Sequence, residues 1–419
     1  MRAHLVFAGY VSSLALTACQ TPTEGIDAPP AAWTRVVAGG AHTCGLGTDG
    51  ALFCWGSNRH AQLGAEISGS ATAVPRRVVG SRPFTDVSVG WQHTCAVAEG
   101  GTAYCWGHDD SGQLGIGKDR DEECVSGAVP FRCRTKPQEV AGDLTFASVA
   151  AGMWHSCGLT SGGVAYCWGL NRSGQLGTKV SGETCLGFTC STTPVAVAGD
   201  LRFSVITAGF LHACALTGDG AAYCWGDNGF GALRATAPDT CSPGGVQRPC
   251  SFEPVRVSSE LTFALISAGN QHTCAVASDG ASYCWGLSVS GKVGTDTEAE
   301  ACALGPCVPR PTAVAGSLGA AGEIACGNLH SCAIGPDALA YCWGAGQQGQ
   351  LGTGAIEENR TTPTRVSGDL EFAAVSAGGF HTCAVTPDGA AYCWGDNASG
   401  QLASSTSGQV AGPVRIPGG

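Results

Sequence analysis

The side chains here that could do chemistry are cysteines and a set of repeated histidines. Twenty-four cysteines in 419 residues would mean metal or redox chemistry in a reducing compartment and disulfides in an oxidising one. Zinc ribbons need paired Cys-x-x-Cys knuckles, and the sequence has none, so disulfides are the expected use. The histidines are His42, His93, His155, His212, His272, His330 and His381, each two residues before a cysteine. Holding the same place in successive copies of one unit, they can gather at a single site only by lining a channel. A structural hydrogen-bonding role inside each unit is expected instead. No nucleophile–base pair, paired carboxylates, Gly-rich phosphate loop or His-rich metal motif has workable spacing, so neither an enzyme nor a bound cofactor or metal is expected. The acidic run from Asp119 to Glu123 lacks a calcium-loop pattern and reads as a solvated loop.

The units that carry these residues recur every 51 to 62 positions from Trp33 onward, which signals an array of supersecondary structures. Each reads as four short strands. In the last copy these are Ala374 to Ala377, His381 to Val385, Ala391 to Trp394 and Pro413 to Ile416. Pro387-Asp388-Gly389 joins the second and third as a three-residue hairpin whose final residue needs positive φ. Six copies place Gly there, and Ala338 in the sixth should cost about 1 kcal/mol. Four antiparallel strands repeated seven times predict an all-β, seven-bladed propeller with four-stranded blades. The Gly-x-x-His strand, the Cys-Trp-Gly strand and segments such as Asn171-Arg172-Ser173-Gly174-Gln175-Leu176-Gly177 resemble the regulator of chromosome condensation repeat family, over residues 33 to 416. The fourth copy departs with Phe230-Gly231-Ala232-Leu233-Arg234, the fifth with Val289-Ser290-Gly291-Lys292-Val293.

Counting outward from the Asp-Gly turn puts Cys383 opposite Cys393 at a non-hydrogen-bonded pair, where Cα atoms approach to about 4.5 Å and a disulfide fits. The same register pairs Cys44 with Cys54, Cys95 with Cys105, Cys157 with Cys167, Cys214 with Cys224, Cys274 with Cys284 and Cys332 with Cys342. Eight more cysteines lie between third and fourth strands, as Cys124 and Cys133, Cys185 and Cys190, Cys241 and Cys250, and Cys302 and Cys307. As nearest neighbours in one loop, they are expected to pair locally. Cys326 is left as a small buried thiol.

The N-terminus indicates the compartment. Arg2 and the apolar stretch Leu5 to Leu16 read as a signal peptide over residues 1–18, and Leu16-Thr17-Ala18-Cys19 resembles the bacterial lipobox. That resemblance implies a diacylglycerol on Cys19, with residues 19–32 a Pro-containing tether and 33–419 the propeller. The alternative is an ordinary signal peptide cut near Ala18. The implied location is the bacterial cell envelope, lipid-anchored to a membrane, with the outer membrane or cell surface favoured. A net charge of -11 disfavours nucleic acid, whose binding rests on Lys and Arg displacing counterions.

The expected function is protein binding, as an envelope scaffold module of unidentified partner. Two alternatives follow from the family resemblance: guanine-nucleotide exchange activity, or a secreted enzyme-inhibitor-like propeller. From Trp-Gly to the fourth-strand Pro the copies span 19, 30, 25, 28, 25, 19 and 18 positions, so copies two to five carry enlarged loops. The residues before each His turn apolar over that arc, at Trp91, Met153, Trp154, Phe210 and Leu211, which are the candidate binding residues. Their other reading is that they cap the channel or pack between blades.

Overall fold

The computed structural model describes residues 28–418 apart from 81, 119–121, 127–128, 181 and 317. The signal peptide, Cys19, most of the tether and part of the acidic run lie outside the described residues. Seven antiparallel sheets follow one another along the chain. The first holds Trp33–Ala38, His42–Gly47, Leu52–Ser57 and Ala71–Arg77, and the last Ala374–Ala377, His381–Val385, Ala391–Asp396 and Gln409–Arg415. Blades one, six and seven have the expected four strands. Blades two to five have five, because the long loop after the third strand folds back as a hairpin. Its added strands are Glu123–Ser126, Thr184–Cys185, Asp239–Cys241 and Glu300–Cys302. The period-2 pattern of these short segments is interrupted by cysteines and turn residues, so they read as loop in the sequence.

The hairpin register is as counted. Cys383 faces Cys393 and Val385 faces Ala391, and the seven within-hairpin disulfides have Cα separations of 4.0 to 4.1 Å. The four loop pairs also form, each pinning an added strand to its neighbour. Cys326 is free and buried. Ala338 takes φ 60° at the turn position where Gly389 has 87°.

Each blade is made of consecutive strands, so no strand exchange closes the ring. Closure comes from packing: Trp33, Val36, Phe53 and Trp55 of blade one share a core with Cys383, Cys393, Leu402 and Ile416 of blade seven. The same kind of apolar layer lies between blades three and four, where Leu159 and Leu176 meet Phe203, Ile206 and Trp225. Burial of such side chains supplies on the order of 2 kcal/mol each.

The repeated polar residues stitch blades together rather than acting inside them. The buried indole N–H of Trp225 donates to the Gln175 carbonyl of the preceding blade at 3.1 Å, and Trp55 closes the circle by donating to Gln401 at 2.9 Å. The acceptor is a main-chain carbonyl, so the divergent fourth and fifth copies keep the bond through Ala232 (2.7 Å) and Lys292 (3.0 Å). Each histidine except one reaches a hydroxyl of the next blade. His42 meets Thr94 at 3.0 Å, His93 meets Ser156 at 2.8 Å, and His381 returns to Thr43 at 2.8 Å. The expectation of a bond within each unit is therefore corrected: a strand that buries its whole length at the blade boundary finds its partners across that boundary.

The exception is His155, whose neighbouring blade presents Ala213 and whose ring nitrogens are both buried without a partner. Ala213→Ser supplies the missing hydroxyl between His155 and the Gln175 carbonyl. It should raise stability by about 1 kcal/mol, read as a higher denaturant midpoint at constant slope. An unchanged or lower midpoint refutes this.

Candidate functional site

At one end of the channel the chain turns from first to second strand in every blade. Gly40, Trp91, Met153, Phe210, Asn270, Asn328 and Gly379 are equivalent there. Each donates its N–H to the channel glycine of the next blade, as Phe210 does to Gly269 at 3.2 Å and Gly379 to Gly39 at 2.8 Å. These residues surround a solvent-open cavity of about 90 Å³. One half of its wall is apolar, with the Trp91 and Phe210 rings edge to face at 6.4 Å between centroids. The other half is amide, with Asn270 donating to the Asn328 side chain. Behind the amides lies Lys292, fully buried, whose ammonium donates to the carbonyls of Asn270 at 2.6 Å and Asn328 at 3.2 Å. Desolvation lowers its pKa to about 7.

The five candidate residues thus separate. Trp91, Met153 and Phe210 line the mouth. Trp154 packs against His108, at 5.5 Å between ring centroids, and His108 stacks on Phe131 from the blade-two hairpin. Leu211 is 3% exposed and belongs to the interior. Asn270 and Asn328, which break the apolar run in the sequence, are mouth residues too, and their equivalence of position was the signal for it.

The enlarged loops emerge at the same end. His108 N–H donates to the Gln92 carbonyl at 3.1 Å, Leu170 to Trp154 at 2.9 Å and Asp227 to Leu211 at 2.9 Å, joining the start of each loop to the turn beside the mouth. The hairpins carry a feature that loop length alone did not reveal. Val125 and Val129 of blade two, Leu186 of blade three and Val246 of blade four are 66%, 67%, 67% and 54% exposed. They account for most of the exposed large aliphatic side chains among the described residues.

The histidines cannot serve as acids or bases for a ligand. Burial pushes His42, His93, His155, His330 and His381 down to about 3, and none reaches the solvent. Among the described residues, two groupings have metal-like spacing, His272 with Cys274 and Cys326, and Glu122 with Cys124 and Cys133. Cys274, Cys124 and Cys133 are all in disulfides and offer no thiolate.

A sequence profile described as RCC1-like domain matches residues 9–374, and one described as Regulator of chromosome condensation (RCC1) repeat matches 372–401. The chain belongs to the RCC1-like domain family. Among similar proteins, the Ultraviolet-B receptor UVR8 of Arabidopsis thaliana is 28% identical over 82% of this chain and 71% of that protein. The Regulator of chromosome condensation of Mus musculus is 28% identical over 84% of this chain and 82% of its own length. The Probable E3 ubiquitin-protein ligase HERC4 of Homo sapiens is 31% identical, but this chain spans only 32% of it. Two solved structures share the fold. Human WBSCR16 has a TM-score of 0.73 at 19% identity, covering 87% of this chain and 94% of that one. Yeast RCC1 (Prp20), solved bound to Kap60, has a TM-score of 0.69 at 24% identity, covering 82% and 78%.

Proposed function

We propose that this RCC1-like propeller is an exported binding protein that docks a protein partner on the channel-mouth face, over the hairpins of blades two to five. Its signal peptide, lipobox and Cys19 support a lipid tether at the bacterial cell envelope. The observation that carries the docking reading is the exposure of Val125, Val129, Leu186 and Val246 on disulfide-pinned hairpins beside the aromatic half of the mouth. Apolar side chains held rigidly in water lose little conformational entropy on binding, which makes them effective anchors. Relatives that meet protein partners, such as the yeast protein solved with Kap60, support a binding role in general without naming this partner. A guanine-nucleotide exchange role would need a cytoplasmic or nuclear GTPase, whereas eleven disulfides need an oxidising compartment.

The test replaces Val125, Leu186 and Val246 by Asp, and separately Trp91 and Phe210 by Ala. Exposed positions tolerate such changes within about 0.5 kcal/mol, so the hairpin variant should keep its melting temperature. It should also lose partners captured from envelope extracts and identified by mass spectrometry. Undiminished capture by both variants overturns the docking face. Partition of Cys19→Ala into the detergent phase together with the parent overturns the tether.

A further inference from the structure

Beside the mouth, on the same face, the loops of blades three and four bring two arginines to one carboxylate. The side chain of Asp227 is 4% exposed and that of Arg248 12%, and the Arg248 Nε lies 2.5 Å from an Asp227 carboxylate oxygen. Arg248 also reaches the Ser173 hydroxyl at 3.4 Å. Arg172, the residue before Ser173, feels both groups: burial and then the Arg248 charge lower its pKa, while Asp227 raises it. Its guanidinium stands 5.4 Å from the centre of the Phe188 ring, and its Nε is buried without a hydrogen-bond partner. Burial raises the pKa of Asp227 even with both arginines near. Two guanidiniums against one carboxylate leave a local charge of about +1 in a chain whose net charge is -11.

A guanidinium is a planar fork of donors that matches a carboxylate, and such charge-assisted bonds are about twice as strong as neutral ones. We infer that Arg172 and Arg248 form a recognition point for a carboxylate side chain of the protein partner. A single carboxylate balances the one uncompensated positive charge, whereas a phosphate dianion would leave an excess. The long-range repulsion expected from an acidic chain is screened within about 8 Å at physiological salt, so this pairing acts at contact. The inference rests on the docking reading above and names the chemistry that reading lacks.

The intact propeller, labelled for side-chain NMR of arginine, is titrated with a capped hexaglutamate peptide, a matched hexaglutamine peptide and inorganic phosphate. The expected result is a saturable shift of the Arg172 Nε–H signal with the glutamate peptide and none with the glutamine peptide. Arg172→Gln leaves the Asp227–Arg248 pair in place, so it should fold normally. It should weaken glutamate-peptide binding, followed through the Arg248 signal, by at least about tenfold. An Arg172 signal that ignores the glutamate peptide overturns the inference, as does an equal response to glutamine or tighter binding of phosphate. The titration needs no natural partner. Its failure is therefore distinct from failure of the docking face, which is read by capture with the Val125, Leu186 and Val246 variant.

Discussion

Gly209→Ala should destabilise the propeller by about 3–5 kcal/mol, or prevent the ring from closing. A Cβ on Gly209 would stand 2.4 Å from the Gly269 carbonyl oxygen and 2.7 Å from the Cε1 of His212, where real contacts do not occur. The obstruction is main chain, which cannot rotate away, and it lies on the seam between two blades. The same approach recurs around the channel. Gly39, Gly90, Gly152, Gly269, Gly327 and Gly378 each place the virtual Cβ 2.5 to 2.7 Å from the carbonyl of the next blade's glycine. None of these positions has a left-handed φ. Glycine is required here for close approach rather than for backbone freedom. Gly218→Ala is the control, since a Cβ there meets nothing within 4 Å and the residue is exposed. Its unfolding midpoint should match the parent within about 0.5 kcal/mol. Equal stability of the two variants removes the argument that the glycine ring sets the blade spacing.

Stability should depend steeply on pH on both sides of neutrality. The buried histidines have folded pKa values of about 3 to 4 against 6.5 in the unfolded chain, with His272 also held well below its ordinary value. Below pH 6.5 the unfolded chain takes up protons that the folded chain refuses. Each such group then removes up to about 1.4 kcal/mol per pH unit until its folded pKa is reached. Seven together should remove on the order of 5 kcal/mol between pH 6.5 and 5.5. Lys292 acts on the alkaline side. Its folded pKa of about 7 lies below the unfolded 10.5, so stability should rise as pH climbs from 7 to about 9; above that the unfolded Cys326 thiol ionises while the folded one, pushed up to about 12 by burial, does not, and this offsets the gain. Lys292→Gln places at this position the residue found at Gln62, Gln113, Gln175, Gln350 and Gln401. Those side chains accept a neighbouring backbone N–H at 2.8 to 2.9 Å. The variant should be more stable at pH 7 by about 1–3 kcal/mol and lose the alkaline rise. Chemical unfolding at pH 5.5, 6.5, 7 and 9 tests both limbs. A midpoint that is flat from 6.5 to 5.5 removes the histidine argument, and an alkaline rise that survives in Lys292→Gln removes the lysine argument.

Much of this was legible before any coordinates. The spacing of Cys383 and Cys393 about an Asp-Gly turn dictates a hairpin register, and register dictates which side chains oppose. The arc of long loops was legible because Trp-Gly and the fourth-strand Pro bracket it in every copy. Their fold was less so. Cys124–Cys133 closes a hairpin that adds a strand, but segments as short as Thr184–Cys185 carry no periodic signal of their own. Which of the candidate residues face the mouth was not legible in the sequence. Trp91, Met153 and Phe210 share the mouth, while Leu211, one position along, is buried.

The sequence by itself determined the number of blades, the four strands common to all of them, the hairpin disulfides and the end of the ring from which the long loops emerge. Each of these depends on residues within one repeat unit, where turn chemistry and two-residue periodicity suffice. Only the tertiary structure decided what meets across blades: His42 on Thr94, Trp225 on the Gln175 carbonyl, Trp91 against Phe210, and Arg172 with Arg248 about Asp227. Those partners come from different copies, and the geometry that joins them exists only once seven units have closed into a ring. A repeat states its own unit many times, but it does not state the angle and distance at which one unit packs on the next. Here that distance is set by glycines whose missing side chains leave room for the neighbouring backbone.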